Sequence, residues 1–370
     1  MLKRIKVCHI TSVHPSTDVR IFLKECRSLA AADFDVTILA VNMPEEVIDG
    51  VKMVSVRSKK KSRFIRMTST VKKLYKKAKE LDCDIYQFHD PELLPLAWAL
   101  RKKKKIVIYD VHEDVPRQIL NKDYLPSILR PVIAGIFEFF ENLFAARMSG
   151  IVTATPFINK RFVKVNFNSV NINNYPITEE FSSVPDWTDK KKEICYVGGI
   201  TEIRGVEELI MVLPICNVRM NLAGPFATPE LKTKLLALPG WKWVNNYGQI
   251  GRAEIVEVLN RSMIGIVTLY PRINYLDSLP IKMFEYMAAG IPMIVSDFPY
   301  WREILEPYQC AVFVNPKNIE QIASAVQNIM ADETEARRMG ERGREAVLNN
   351  FCWHQEAIKL IDFYWHLCKL

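Results

Sequence analysis

The chain has 370 residues, 49% hydrophobic and 25% charged, with a formal net charge of +8. That length suits two domains, and the composition excludes disorder, collagen-like repeats and coiled coil. The longest apolar stretches, 131–137 and 286–295, fall far short of the roughly 20 residues that cross a bilayer, which excludes a helical membrane span.

The first ten residues alternate basic and apolar side chains and lack the long apolar core of a secretory signal. Eight cysteines (Cys8, Cys26, Cys83, Cys195, Cys216, Cys310, Cys352 and Cys368) show no CxxC spacing and mostly sit in apolar runs. They read as reduced, buried thiols of a cytoplasmic protein. Ile5 to Ile10 reads as a strand. Asp18 to Ala32 follows as a helix with Val19, Phe22, Leu23, Cys26, Leu29 and Ala30 on one face, and Asp35 to Val41 is a second strand. Apolar runs at 51–56, 84–88, 105–110, 150–154 and 168–173 bring the first half to about seven strands alternating with helices. This is the pattern of a doubly wound parallel sheet.

Charge is uneven: residues 1–175 hold 30 Lys and Arg against 18 Asp and Glu, the remainder 20 against 24. Eleven cations and no acid lie between Arg57 and Lys79, among them Lys59, Lys60, Lys61, Arg63, Arg66, Lys72, Lys73, Lys76 and Lys77. A solvated helix face, contact with anionic lipid, or a phosphate-bearing substrate each accounts for the run. Nucleic acid is not expected, because the cations lack the regularly interleaved aromatics of a stacking platform. Further on, four phenylalanines fall within eight residues at 137–144, and the pattern predicts a helix buried between the sheet and a neighbour. Were that helix to share a face with 57–79, it would rest on a membrane surface instead.

From Pro176 to about Lys191 the chain is polar and aperiodic, which sets a boundary between a domain 1–176 and a domain 177–352. Strand and helix alternation then restarts, with strands expected at Ile194–Val197, Val218–Ala223, Lys242–Asn246, Ile264–Tyr270, Met293–Ser296 and Ala311–Val314. A terminal amphipathic helix, 353–370, offers Ile358, Leu360, Ile361, Tyr364 and Leu367 for docking back on the first domain. In parallel sheets, ligands bind at the carboxyl ends of the strands. That rule selects Thr11 to Asp18, His89 with Asp90, and His112 with Glu113. In the second half it selects Gly198-Gly199, Gly224-Pro225, Gly248 to Gly251 and Tyr270 to Leu279. Two such sheets facing across a cleft would bring these residues together.

The most informative stretch runs from Asp277 through Ser278, Leu279, Pro280, Lys282 and Glu285 to Gly290 and Pro292. Pro280 opens a helix and Gly290 with Pro292 closes it. The free N–H groups and positive dipole end at such a helix start suit a diphosphate. Glu285 can accept two hydrogen bonds from a ribose diol, and Asp277 can hold hydroxyls of an attached sugar. A capped helix in an α/β core explains Pro280 and Gly290 but not two flanking carboxylates. Gly198-Gly199 permits close backbone approach, and Arg204 adds a fixed cation for phosphate. Asp82-Cys83-Asp84 lies at the wrong end of its strand for metal chemistry and reads as a turn, so no metal is expected.

Tyr196-Val-Gly-Gly with Arg204-Gly205, the pair Asp277 and Glu285, and Lys282-Met-Phe-Glu-Tyr-Met-Ala-Ala-Gly-Ile-Pro together resemble the nucleotide-sugar half of the retaining glycosyltransferases of family four. His14-Pro-Ser-Thr-Asp18, His89-Asp-Pro-Glu92 and Tyr109-Asp-Val-His112-Glu113 are similar to the acceptor half of bacterial members that build surface polysaccharides. The resemblance spans Val7 to about Tyr364. It implies the GT-B fold, two doubly wound Rossmann-like domains facing across a cleft. It also implies a nucleotide-sugar donor, UDP-linked, no cofactor, and a glycan or lipid-diphosphate-linked acceptor met in the cytoplasm or on the inner membrane face through 57–79.

By position, His112, Asp277 and Glu285 carry the catalytic roles. Gly198, Gly199, Arg204, Gly248, Gln249, Ile250, Leu279, Lys282 and Glu285 bind the donor, and His14, Asp18, His89 and Glu113 the acceptor. His112 would serve through its ring or its carbonyl. The family's usual arginine after Gly198 is here Gly199, and Arg204 stands where lysine is usual. In such transfers the departing diphosphate takes the acceptor's proton, so no side-chain nucleophile is required. A nucleotide-sugar epimerase and a non-catalytic nucleotide-sugar or polysaccharide-binding protein are the alternatives. His9, His354 and His366 are assigned no chemistry.

Overall fold

The computed structural model describes residues 4–15, 17–58, 66–122 and 124–370. Lys59, Lys60, Lys61 and Arg63 of the basic run lie outside the described residues. The chain forms two units, one of Met1–Asn174 with Trp353–Leu370, the other of Tyr175–Cys352.

The first unit is built on strands β1 (Lys6–Ile10), β2 (Asp35–Val41), β3 (Val47–Ile48), β4 (Val51–Val56), β5 (Ile85–Phe88), β6 (Ile106–Val111), β7 (Gly150–Thr153) and β8 (Ser169–Asn171). Their order is β3-β4-β2-β1-β5-β6-β7-β8. All neighbours are parallel except β3 with β4. The seven runs read from sequence are the parallel strands, and β3 is an added two-residue edge too short to leave a periodic signal. Strands β5 and β7 are buried along their whole length, which is why they read as continuous apolar runs rather than alternating ones.

Three helices of this unit depart from their sequence patterns or add to them. Val19–Cys26 continues as Arg27–Ala31 and was expected to bury one apolar face. It buries Arg20, Lys24 and Glu25 as well as Ile21, Phe22 and Cys26. Asp18 caps it by accepting from the N–H groups of Arg20 and Ile21 at 2.9 and 3.0 Å. The phenylalanine-rich helix Leu129–Ala145 was expected to be buried, yet only Ala134, Glu141 and Ala145 are. Helical periodicity defines a face but not which side of it meets the sheet, and here the carboxylates turn inward.

The terminal helix Trp353–Lys369 belongs to the first unit. Trp353, Leu360, Phe363, Tyr364 and Leu367 are buried, whereas Ile358 is 49% exposed. Glu356 accepts from the Asn173 N–H at 2.9 Å and from its Nδ2 at 3.3 Å, tying the helix to the last residues of the sheet domain.

The second unit holds β9 (Lys191–Val197), β10 (Arg219–Ala223), β11 (Val244–Gly248), β12 (Ser262–Val267), β13 (Met293–Ser296) and β14 (Ala311–Val314). They lie in the order β11-β10-β9-β12-β13-β14 and are parallel throughout. Strand β11 starts two residues later than the pattern predicts, because Pro239–Trp243 forms a tight helical turn. Successive residues of β9 face opposite layers. Cys195 and Val197 pack with Met283, Phe284 and Met287, while Ile194 and Tyr196 pack with Leu209, Ile210 and Ile322. In each sheet the winding reverses once, between β1 and β5 and between β9 and β12, and such reversals are where open α/β sheets take ligands.

Replacing Glu356 with Ala leaves two buried donors of Asn173 unpaired. A loss of about 1–3 kcal/mol in unfolding free energy is expected, with hydrogen exchange across 353–369 accelerating ahead of the rest. A variant as stable as the wild type would refute this fastening.

Candidate functional site

At the winding reversal of the second sheet, the chain leaves β9 through Gly198 and Gly199 and leaves β10 through Gly224. Gly198 and Gly224 have φ of 125° and 145°, conformations that side chains rarely adopt. The Gly198 N–H donates to Ala223 O at 2.8 Å, and that of Gly224 to Gly248 O at 2.7 Å, so three successive strand ends are stitched into one backbone floor. A methyl group at Gly224 would lie 2.0 Å from Gly198 O.

Two cations converge on this floor. A methyl group on Gly198 would sit 3.2 Å from Lys282 Nζ and 3.5 Å from Arg204 Nη1, and one on Gly199 would sit 3.5 Å from the same Arg204 nitrogen. Arg204 is held by donating to Gly199 O at 3.0 Å, and its Nε is buried without a partner. Lys282 comes from the first turn of the helix Ile281–Ala288. Its Nζ is buried with no hydrogen-bond partner and lies 3.9 Å from the centre of the Tyr196 ring. Burial, and then the neighbouring Arg204 charge, hold the Lys282 amine well below the usual lysine range, against the pull of Glu285. An anion placed here would meet two cations, a helix start and bare backbone.

Glu285, also buried, lies on the same helix. Its Oε1 accepts from Arg252 Nη1 at 2.6 Å, and the other arm of Arg252 reaches Glu180. Arg252 begins the helix Arg252–Arg261 directly after Gly248, Gln249, Ile250 and Gly251, so this pair brings the loop after β11 to Glu285. Gln249 is exposed, whereas Ile250 and Leu279 both border the apolar cluster of Phe284 and Trp301. Asp277 ends the short helix Ile273–Leu276. The loop that follows is pinned by Trp301, whose Nε1 donates to Ser278 O at 2.8 Å. Arg252 and Trp301 carry no signal in local sequence, since each acts on residues far along the chain.

At the reversal in the first sheet lies a chain of buried polar groups. Arg20 donates to both oxygens of Asp110, from Nη2 at 2.9 Å and Nε at 3.3 Å, and to Ile172 O at 2.9 Å. Burial opposes the charge on Asp110, but Arg20 and then His112 hold its carboxyl well below the usual range. With Asp110 ionised, its Oδ2 takes protons from His89 Nδ1 at 3.0 Å and His112 Nε2 at 2.8 Å. His89 Nε2 is then the acceptor for His9 Nδ1 at 3.0 Å. This fixes the tautomer of His112 and leaves Nδ1 as its nitrogen available to a ligand. Burial, reinforced by Asp110, pushes the Glu25 carboxyl well above the usual range, against the pull of Arg20, whose Nε lies 3.2 Å from Glu25 Oε1.

His14 lies 3.5 Å from Asp90 and 3.6 Å from Asp18, with its ring centre 5.0 Å from that of His112. Burial lowers the His14 pKa, but Asp18 and Asp90 outweigh it and raise it on balance. Asp90 also accepts from Thr11 Oγ1 at 2.9 Å and the Ser12 N–H at 2.6 Å. Glu113 is exposed and accepts from Gln118. His89, expected to face the acceptor, is buried, and its ring nitrogens engage His9 and Asp110. His9, to which no chemistry was assigned, is part of the same chain. Among the described residues, His89, Asp110 and His112, and likewise His9, Glu25 and His89, lie close enough to ligate a metal. In the free protein the Arg20 fork already occupies Asp110, and the histidines of both clusters are engaged in the same chain of hydrogen bonds.

Asp110→Asn removes the carboxylate that the buried Arg20 grips with two bonds, leaving it with Glu25, whose Oε1 lies 3.2 Å from Arg20 Nε. We expect a loss of about 3–5 kcal/mol in chemical denaturation, and a loss within experimental error of zero would overturn this reading of the core.

Residues 19–172 match the profile described as Glycosyltransferase Family 4, and residues 177–346 that of Glycosyl transferases group 1. The chain is 23% identical to an uncharacterised glycosyltransferase of Methanocaldococcus jannaschii over 55% of its own length and 53% of that protein's. It is 31% identical to a GDP-mannose-dependent α-(1-6)-phosphatidylinositol monomannoside mannosyltransferase of Mycobacterium tuberculosis, over 24% of this chain and 23% of that protein. The chain thus spans about half the length, or less, of these curated relatives. Among solved structures it resembles sucrose-phosphate synthase of Thermosynechococcus elongatus, with a TM-score of 0.79 at 16% identity over 99% of this chain and 100% of the other. It also resembles Anabaena HepE in complex with UDP-glucose, with a TM-score of 0.72 at 12% identity over 99% and 100%. The two profiles adjoin and between them take in both units, and the chain belongs to the group 1, family 4 glycosyltransferases of GT-B fold.

Proposed function

We propose that this chain transfers a sugar from a UDP-sugar to a glycan or lipid-diphosphate-linked acceptor during assembly of cell-surface polysaccharide, with retention at the anomeric carbon and without a metal ion. The observation that carries the donor half of this reading is the Lys282 amine, buried without a hydrogen-bond partner beside Arg204 and the bare Gly198 backbone. A diphosphate supplies the hydrogen-bond acceptors that this amine lacks and a counter-charge for its protonated form. Lys282 then takes the part of the cation absent at Gly199, delivered from the helix rather than from the strand loop.

As the glycosidic bond stretches, negative charge grows on the departing diphosphate and positive charge on the sugar ring. Arg204, Lys282 and the helix start stabilise the first. Asp277 is assigned to hydroxyls of the donor sugar, and Glu285 to the ribose, with Arg252 occupying one carboxylate oxygen and orienting the other. His112 is assigned to the sugar, through Nδ1 or its carbonyl, and His14 and Asp18 to the acceptor. Support for the carrier comes from HepE, whose solved structures hold UDP and UDP-glucose. The mycobacterial relative is named for GDP-mannose, which makes that sugar the alternative donor.

The test is nucleotide release from a panel of UDP-, GDP- and ADP-sugars, for the wild type, Glu285→Ala and Lys282→Met. One carrier should be turned over, and Lys282→Met should lower its turnover by roughly a hundredfold, the usual effect of deleting one donor to a developing anion. The same variant should raise the melting temperature of the free protein, because it removes an unpartnered buried amine. Full activity in Lys282→Met would overturn the diphosphate assignment.

A further inference from the structure

The helix Leu129–Ala145 is turned inside out. Its charged side chains face the fold: Glu141 accepts from Tyr109 Oη at 2.9 Å and Arg161 Nη2 at 2.6 Å, Glu138 pairs with Arg117 at 2.8 Å, and Arg130 donates to Leu125 O at 2.8 Å. Its outer face is Leu129, Val132, Ile133, Ile136, Phe139, Phe140 and Leu143, with Val132, Ile136 and Phe139 respectively 57%, 55% and 64% exposed. Ile128, just before the helix, is exposed too. The helix is about 25 Å long at the usual rise per residue. A charge-free apolar stripe of that length exceeds what proteins leave to water without a partner.

Cations border this stripe. At its carboxyl end the ring of Phe144 meets that of Trp98 with centres 5.8 Å apart. Lys102 Nζ and Arg147 Cζ lie 3.8 and 5.7 Å from the centre of the same Trp98 ring. Trp98 leads into the run Arg101-Lys102-Lys103-Lys104-Lys105, of which the first four are exposed. No helix among the described residues is long and apolar enough to cross a membrane.

We infer that this helix lies flat in the surface of a lipid bilayer, its stripe seated at the boundary of headgroups and acyl chains and the Arg101–Lys105 run and Arg147 held over anionic headgroups. An apolar face with aromatic side chains, cations at its margin and insufficient length to span is the chemistry of an interfacial helix. A second copy of the chain is a poorer occupant. The acids of this helix point inward, so the copy would bring no counter-charge from this face to meet the cations. The inference concerns a surface and does not rest on the donor reading. It moves the expected membrane contact from the run 57–79 to the other side chains named here.

The test is flotation of the full chain with vesicles of phosphatidylcholine alone and of phosphatidylcholine mixed with phosphatidylglycerol. It is run on the wild type, the doubly substituted Ile136→Asp with Phe139→Asp, and the doubly substituted Lys102→Glu with Arg147→Glu. We expect the wild type to float with the anionic vesicles. The aspartate variant should lose more than about tenfold in partition, and the glutamate variant should lose the preference for anionic lipid. All four positions are on the surface, so circular dichroism and melting temperature should match the wild type. Amide exchange across 128–143 should slow when anionic vesicles are added. Failure of the wild type to float, or flotation of the aspartate variant equal to wild type, would overturn the inference. So would a wild-type dimer in sedimentation that the aspartate variant abolishes, in the absence of vesicle binding.

Discussion

A buried amine without a hydrogen-bond partner is costly, and the second unit is organised around one, Lys282 Nζ. Lys282 is placed by the start of a helix whose remaining residues, Met283 to Ala288, are buried in the core. The floor beneath it is bare because the chain must pass from β9 to the next helix through glycine and because β10 ends on a glycine pressed against Gly198. In the free protein the amine has the ring of Tyr196 against it and the attraction of Glu285, but no hydrogen-bond partner. Unpartnered polar groups of this kind cluster at sites where a ligand relieves them, and on the proposed reading a diphosphate would supply the missing partner.

The first unit solves the opposite problem. It buries Arg20, Glu25, Asp110, His9 and His89 together and satisfies most of them internally, with Arg20 placed between the carboxyl groups of Asp110 and Glu25. Burial and Asp110 both resist the ionisation of Glu25 and push its pKa up. The outcome is a rigid chain of hydrogen bonds that ends on His112, the one member partly open to solvent, and sets which of its nitrogens is free. The terminal helix is part of this arrangement: Tyr364 donates to Gln87 and lies 3.4 Å from His9 Nε2. A second unit that leaves a buried amine without a hydrogen-bond partner and a first unit that pairs most of its buried polar groups are two uses of the same low-dielectric interior.

Much of this was legible in the sequence, and the reasons for the rest are physical. The alternation of strand and helix, and the stretch from Asp277 to Pro292, are local patterns: a proline opens the helix, a glycine closes it, and the side chains between them follow. The helix Val19–Cys26 was legible as a helix but not as one buried all round, because Arg20 and Glu25 look like a solvated edge until Asp110 and Gln87 are brought to them from 62 or more residues away. Arg252 and Trp301 are invisible for the same reason. Leu129–Ala145 is the instructive error. Its period located the apolar face, but a rule that apolar faces turn inward chose the wrong side. The carboxylates gave the only contrary hint, since Glu138 and Glu141 fall on the face opposite Ile136 and Phe139.

The most direct measurement is calorimetric titration with UDP at mildly alkaline pH, where its terminal phosphate is already ionised, in two buffers of different ionisation enthalpy. Burial and the neighbouring Arg204 hold the Lys282 pKa well below the usual lysine range in the free protein, and a diphosphate beside it raises that pKa again. Binding should therefore take up protons from the buffer, and Lys282→Met should bind UDP far more weakly and without that uptake. Binding that exchanges no protons and is unchanged in Lys282→Met would contradict the account.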